Sequence, residues 1–450
     1  MPADVSPGGP SSLASGPALL LSGARLSDGR SVDVRIAGDR IEAVGPAGTL
    51  SAPERMDLTG YLILPAPVEP HAHLDEAFSG TPVPGSGPAV RPGPGGGPDG
   101  EQQVEELQRR ITEAALTGLG YGATVQRTHV RIGGAHGLTA VTAALQAARA
   151  LHGLLELQVV PLPGPLTGIA GANERALLRE ALGMGAHAVG GRPDLDSDPD
   201  GHLDTVVALA ENTGRPLDVH TDAADARRLT RLADALGTLA VPATIGPCAG
   251  LGSLPRAVAV RCAERLAAAG VVVVSLPQCP QCVGTVSPGA TSPGAMSPGA
   301  MSPGAVSPGG DDRRGQRTPI RLLLAAGVVV AAGSGALRDT ANPVGRVDPL
   351  EAAFLLTACG ELGEAAAYEA VSGTARAALG LSPVRVAPGF PAEVLAVRGD
   401  SLRGVLSGGH SRVVVHGGRI VSRTSAVREF AETSAPAVPR QGRSEPLCPD

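Results

Sequence analysis

Lysine is absent from this 450-residue chain, so all 37 basic residues are arginine. Tryptophan is absent too, and there are only four phenylalanines, three tyrosines and five methionines. Most of these residues have AT-rich codons, so a GC-rich genome accounts for the shortage without a functional meaning. No basic block occurs, and the net charge is −6 with a pI near 6.0, so no nucleic-acid footprint is expected. Six cysteines (248, 262, 279, 282, 359 and 448) are too sparse and irregular for a disulfide framework. Cys279-Pro-Gln-Cys282 has no second pair, so a structural zinc site is not expected there. The apolar run near the N-terminus is too short to span a bilayer and lacks a positive leader, so no membrane association is expected and the protein reads as soluble and cytoplasmic.

Glycine (62) and proline (41) are abundant instead, and several stretches should therefore be disordered. These are the tails 1–16 and 426–450, and two insertions at 79–100 and 284–312, the second carrying an SPGA-type repeat. Short alternating runs at both ends, "ALLLSGARL", "SVDVRIAG" and "RIEAVG" early, "AEVLAVRG", "LRGVLSGG" and "RVVVHGGRIVSR" late, read as strands. They predict one discontinuous β-sandwich domain over 17–65 and 383–425. The middle, 66–382, alternates apolar strands ("ATVQRTHV", "LELQVVPLP", "AHAVGG", "LDVHTD", "ATIGP", "VVVVSLP", "VVVAAGS") with amphipathic helices. About eight such β–α units predict a closed (β/α)8 barrel with a parallel sheet.

"LPAPVEPHAHLD" begins where the first barrel strand belongs, and it carries His71 and His73. Residues i and i+2 of a strand face the same way. At the C-terminal end of a barrel strand both imidazoles would point into the mouth, where neutral imidazole ligates zinc or iron. A lone H-x-H also fits two partly buried histidines; its setting favours the metal.

These segments, taken in order, resemble the cytosine-deaminase branch of the amidohydrolase superfamily over roughly residues 18–425. "VEPHAHLD" resembles its first metal motif, "YGATVQRTHV" its second-strand segment, and "LELQVVPLP", "LDVHTDAAD", "RRGQRTPIRLLLAAGVVVAAGS" and "LRDTANPVGRVDPLEAAFLL" follow in the family's order. The resemblance implies that His71, His73 and His220 bind one divalent metal, zinc or iron. It also implies hydrolysis of a non-peptide C–N bond in a cyclic amide or amidine. A second metal bridged by carboxylated lysine is excluded, because there is no lysine.

The same resemblance expects further groups that this chain replaces. The glutamate after the third histidine falls at Ala223, a further histidine at Pro247, the metal-ligand aspartate at Gly335, and a substrate-binding glutamine at Gly164. None of these side chains carries a proton or ligates a metal, and each lost acid–base group costs about 10²–10⁴ in rate. Substitutes nearby are Asp75, Glu76, Asp222, Cys248, Arg338 and Asp339, but each reads first as a cap, a loop salt bridge or a solvated charge. His129, His410 and His416 have no ligand-like spacing and read as structural or exposed. Two expectations follow: a metal-dependent hydrolase of cyclic amides or amidines, or a catalytically silent relative that binds a small molecule or a protein partner.

Overall fold

The computed structural model describes residues 17–80, 100–134, 137–278 and 317–427. Apart from a few edge residues, the expected tails and Pro/Gly insertions lie outside the described residues, as do Cys279, Cys282 and Cys448.

The first strands are β1 (Leu19–Arg25), β2 (Ser31–Ala37), β3 (Arg40–Pro46), β4 (Glu54–Asp57) and β5 (Tyr61–Pro65). Val32, Val34 and Ile36 alternate with polar neighbours, and all three are buried against Leu19, Leu21 and Ile41. A Gly38-Asp39 turn joins β2 to β3, and Gly38 adopts φ +59°, the left-handed value that tight hairpins require.

Eight parallel strands follow: β6 (Glu69–Ala72), β7 (Val125–Arg131), β8 (Glu156–Leu162), β9 (Val189–Gly191), β10 (Leu217–Thr221), β11 (Ala243–Pro247), β12 (Val272–Ser275) and β13 (Val329–Ala332). They hydrogen-bond as two sheets, β6-β7-β8 and β9-β10-β11-β12-β13. Backbone hydrogen bonds link the sheets at both edges. His187 N donates to Val159 O on β8, and His73 N donates to Gly335 O just beyond β13. Their strands are almost wholly buried, as expected of parallel sheets covered by helices. Helices bridge successive strands, and their ends are written locally. Ala226–Gly237 starts at Asp225, whose carboxylate accepts from Arg227 N and Arg228 N, and it buries Leu229, Leu232, Ala233 and Leu236. Pro199–Thr213 has Asp198 as its cap, proline in its first turn and Gly214 in the left-handed conformation at its end.

The chain then returns to the first sheet with β14 (Val394–Arg398), β15 (Arg412–His416) and β16 (Arg419–Thr424). The strand order is β16-β15-β14-β5-β1-β2-β3, with β4 beside β1, so both ends of the described chain build one sheet. "LRGVLSGG", expected as a strand, is a helix over Leu402–Gly408. The physical reason is visible in hindsight: Ser401 Oγ accepts from Gly404 N, and Leu402, Val405 and Leu406 recur at helical spacing. Arg412 on β15 donates both terminal nitrogens to Asp348 at 2.9 and 2.8 Å, and Asp348 also caps the helix Pro349–Ala358. That buried fork ties the mixed sheet to the helices around the parallel strands.

Candidate metal centre

Strand alternation decides which side chains meet. On β6, Glu69 and His71 share a face, and His73 follows the strand end. Arg127 and His129 alternate on β7, as do Asp218 and His220 on β10. The result is a cluster of four imidazoles. Ring centroids of His71 lie 4.1 Å from His129 and 4.2 Å from His220, and His129 lies 4.5 Å from His220. His73 Nε2 stands 3.1 Å from His220 Nε2.

Sequence reasoning brought His71, His73 and His220 to one place, and all three meet there. It read His129 as structural or exposed, whereas His129 is fully buried inside the cluster. It passed over Asp218 altogether. His71, His129, Asp218 and His220 each offer a ligand atom, and these atoms all lie within 4.8 Å of one another. His410 is exposed, and His416 pairs with Glu393.

The electrostatics suit a cation. Burial, then the neighbouring charges, pushes the His73 imidazole down to about 3 and holds His71 and His220 well below the usual histidine range. These rings are therefore neutral, with lone pairs free to ligate. Burial alone would raise the Asp218 carboxyl, but His129 and Arg127 outweigh it and hold the group well below the usual carboxylate range. Arg127 Nη1 donates to Asp218 Oδ2 at 3.0 Å, while its Nε and Nη2 donate to Gln158 Oε1 at 3.1 and 2.9 Å. Oδ1 of Asp218 is thereby left to the histidines, 3.2 Å from His129 Nε2 but out of hydrogen-bonding alignment.

Several buried atoms of the cluster lack a hydrogen-bond partner: both nitrogens of His71 and of His129, Nδ1 of His73 and of His220, and Oδ1 of Asp218. Each unsatisfied buried polar group costs about 1–3 kcal/mol. So many in one place are costly to fold unless something else binds them. One divalent cation satisfies several at once, and imidazole with carboxylate is a donor set that zinc or iron accepts. The residues fit the metal.

Around the cluster, the groups considered as substitutes behave differently. Asp75 is buried, and Oδ2 accepts from Arg131 N at 3.1 Å while Oδ1 has no partner. Burial, then Glu76, pushes its carboxyl up to about 7. Glu76 is ion-paired with Arg131. Asp222 Oδ1 accepts from Gly250 N, and Asp339 Oδ1 accepts from Ala341 N and Asn342 N, so both serve loop turns. Cys248 is buried, which raises its thiol and keeps it protonated. The Arg338 guanidinium covers the Phe78 ring at 4.6 Å.

Comparison with known proteins places this arrangement. No family model matches the chain. N-isopropylammelide isopropyl amidohydrolase of Pseudomonas sp. strain ADP is 29% identical over 214 residues, 45% of this chain and 52% of that protein. The chain thus matches about half the length of that relative. Pterin deaminase of Rhizobium rhizogenes is 25% identical over 414 residues, 87% of this chain and 88% of its own. Among solved structures, N-isopropylammelide isopropylaminohydrolase of Burkholderia multivorans superposes with a TM-score of 0.70 at 26% identity, covering 90% of this chain and 98% of that one. The fold is also that of 5-methylcytosine deaminase from Klebsiella pneumoniae, with a TM-score of 0.71 at 21% identity over 94% of this chain and 100% of that one. These curated and structural neighbours are deaminases and hydrolases of the amidohydrolase superfamily, which the chain resembles.

Three positions that the resemblance assigned to proton or metal chemistry lie at or just past the C-terminal ends of parallel strands, as the histidines do. Ala223 lies just past β10 with φ +58°, and its N–H donates to Thr221 Oγ1. Pro247 ends β11, and its carbonyl accepts from Thr318 Oγ1 at 2.6 Å. Gly335 follows β13 with φ +79°, and its carbonyl accepts from His73 N. Gly164 N donates to Glu174 Oε2 at 3.1 Å.

Proposed function

We propose that the protein is a metal-dependent hydrolase of non-peptide C–N bonds in small cyclic amides or amidines. The two parallel sheets are taken as the arcs of one (β/α)8 barrel over 66–382, with a small β-domain from 17–65 and 383–425. One observation carries the proposal: ligand atoms of His71, His129, Asp218 and His220 converge within 4.8 Å of one another, several of them buried and unsatisfied. His71, His129, His220 and Asp218 would hold one zinc or iron ion, with His73 beside it. When bound, such an ion lowers the pKa of a water molecule and polarises the bond to be cleaved. Arg127 keeps Asp218 ionised and aimed at the cluster. Asp75 Oδ1, two residues from His73, is the place where a proton can be held near neutral pH. His71, His129 and His220 are buried away from bulk water, and His73 is partly exposed. The names of the relatives support this substrate class.

A second reading, binding without turnover, has its own observation: Ala223, Pro247 and Gly335 line the same strand ends and offer no side chain that moves a proton. Metal content of the purified protein, together with a release assay on N-isopropylammelide, pterin and 5-methylcytosine, decides between them. Hydrolysis predicts one bound metal, and ammonia or amine release that His220→Ala abolishes. Metal with ligand binding but no release supports the second reading, and absence of metal removes the first. In the second case, Ala223→Glu with Pro247→His and Gly335→Asp is the combination expected to restore release.

A further inference from the structure

Three arginines stand at the strand ends near the histidines, and two are already engaged. Arg131 pairs with Glu76, and Arg338 lies over Phe78. Arg192 is different. It is half-buried, its Nε is buried without a partner, and its guanidinium makes no hydrogen bond or ion pair among the described residues.

Its direction follows from β9. Gly191 is turned towards the helix Pro199–Thr213, because a Cβ there would meet Val206 and His202. Alternation then turns Arg192 the opposite way, and the register pairs Val219 with Gly191, so Arg192 comes level with His220. The cation is close enough to depress protonation of both His73 and His220. Its backbone is pinned as well. Arg192 N donates to His202 Nε2 at 3.0 Å, and His202 Nδ1 is held by the buried Asp196 carboxylate at 3.0 Å. Asp75, Glu76 and Glu174 act on the guanidinium from a distance, but none of them pairs with it, and a partly desolvated cation with no direct ion pair is costly. Placed beside a ligand-binding centre, it is a preorganised seat for an anion.

We propose that the small molecule bound beside the histidines carries a carboxylate, and that Arg192 pairs with it. This rests on the reading of the cluster as the binding centre, and it narrows the substrate class to cyclic amides or amidines bearing a carboxylate. Neutral relatives of the same ring would bind more weakly.

The test uses the full-length protein loaded with zinc and titrated calorimetrically with uracil and with its 5- and 6-carboxylates. The expected result is tighter binding of at least one carboxylate than of uracil, on the order of 10–100-fold. Arg192→Gln is expected to abolish that preference without weakening uracil, and Arg192→Lys to retain part of it, each with a melting temperature near that of wild type. Failure of both carboxylates to bind wild type better than uracil overturns the proposal. So does a preference that persists in Arg192→Gln, since the carboxylate would then be reading the metal alone. Zinc content is measured separately. Unchanged zinc binding in His71→Ala with His220→Ala defeats the metal reading, whereas the preference set by Arg192 remains measurable in metal-free protein.

Discussion

His73 Nε2 lies 3.1 Å from His220 Nε2, although 147 residues separate them in the chain. One comes from the end of β6 and the other from β10, in two different hydrogen-bonded sheets. Their approach is what turns two separate strand motifs into a candidate metal centre.

Asp218 stands between the arginine that holds it and the imidazoles it faces. Asp218→Asn is expected to weaken metal affinity by at least about 10–100-fold, the loss seen when even an outer-shell carboxylate is removed. Chelator competition with zinc measures it. Affinity equal to wild type would mean that Asp218 touches neither the metal nor its ligands.

Arg127 is buried and shares its donors between Asp218 and Gln158. Arg127→Met leaves the Asp218 charge uncompensated in the interior, which costs about 3–5 kcal/mol. Denaturant unfolding of the metal-free protein should show that loss, and the double change with Asp218→Asn should recover much of it. An additive double variant would contradict the coupling.

Acid should destabilise the metal-free protein early. His71, His73 and His220 are all depressed below the free imidazole value, His73 to about 3. Below about pH 6.5 the unfolded chain takes up protons that the folded cluster refuses, so stability falls as pH drops. The loss runs from about pH 6.5 down through the folded values. Unfolding curves collected at successive pH values measure the slope, and His73→Gln should reduce it. A flat profile between pH 7 and 5 would show that the imidazoles are hydrated in solution.

Asp33 gives the opposite kind of pH dependence, far from the histidines. Burial raises its carboxyl, but Gly23 N, Gly48 N and Leu50 N donate to it and the net shift is downward. Its stabilisation is present above the unfolded carboxyl value, about 3.9, and is lost as pH falls through the lower folded value. Asp33→Asn is expected to cost about 1–3 kcal/mol at neutral pH, from an amide that cannot accept all three bonds. The difference from wild type should shrink in acid, and a difference independent of pH would assign the effect to packing.

What the sequence determined by itself is local. Apolar runs separated by amphipathic helices specify parallel strands, and a two-residue period sets His71 and His73 on one side of the chain. The same period was available for the residues passed over. Arg127 and His129 in "VQRTHV", and Asp218 and His220 in "LDVHT", are polar pairs at i and i+2 within strands buried throughout. Charged side chains in such strands signal an interior partner, yet neither pair names it. "LRGVLSGG" shows the other limit, since a short stretch carries both strand and helix signals until packing chooses. Only the tertiary structure decided that β7 and β10 face β6, that Arg127 reaches an aspartate 91 residues away, and that the Arg192 guanidinium forms no direct ion pair among the described residues. The physical reason is that periodicity fixes which side of a strand a residue occupies. The side chain it meets across the interior depends on strand order and register, which are set by long-range packing.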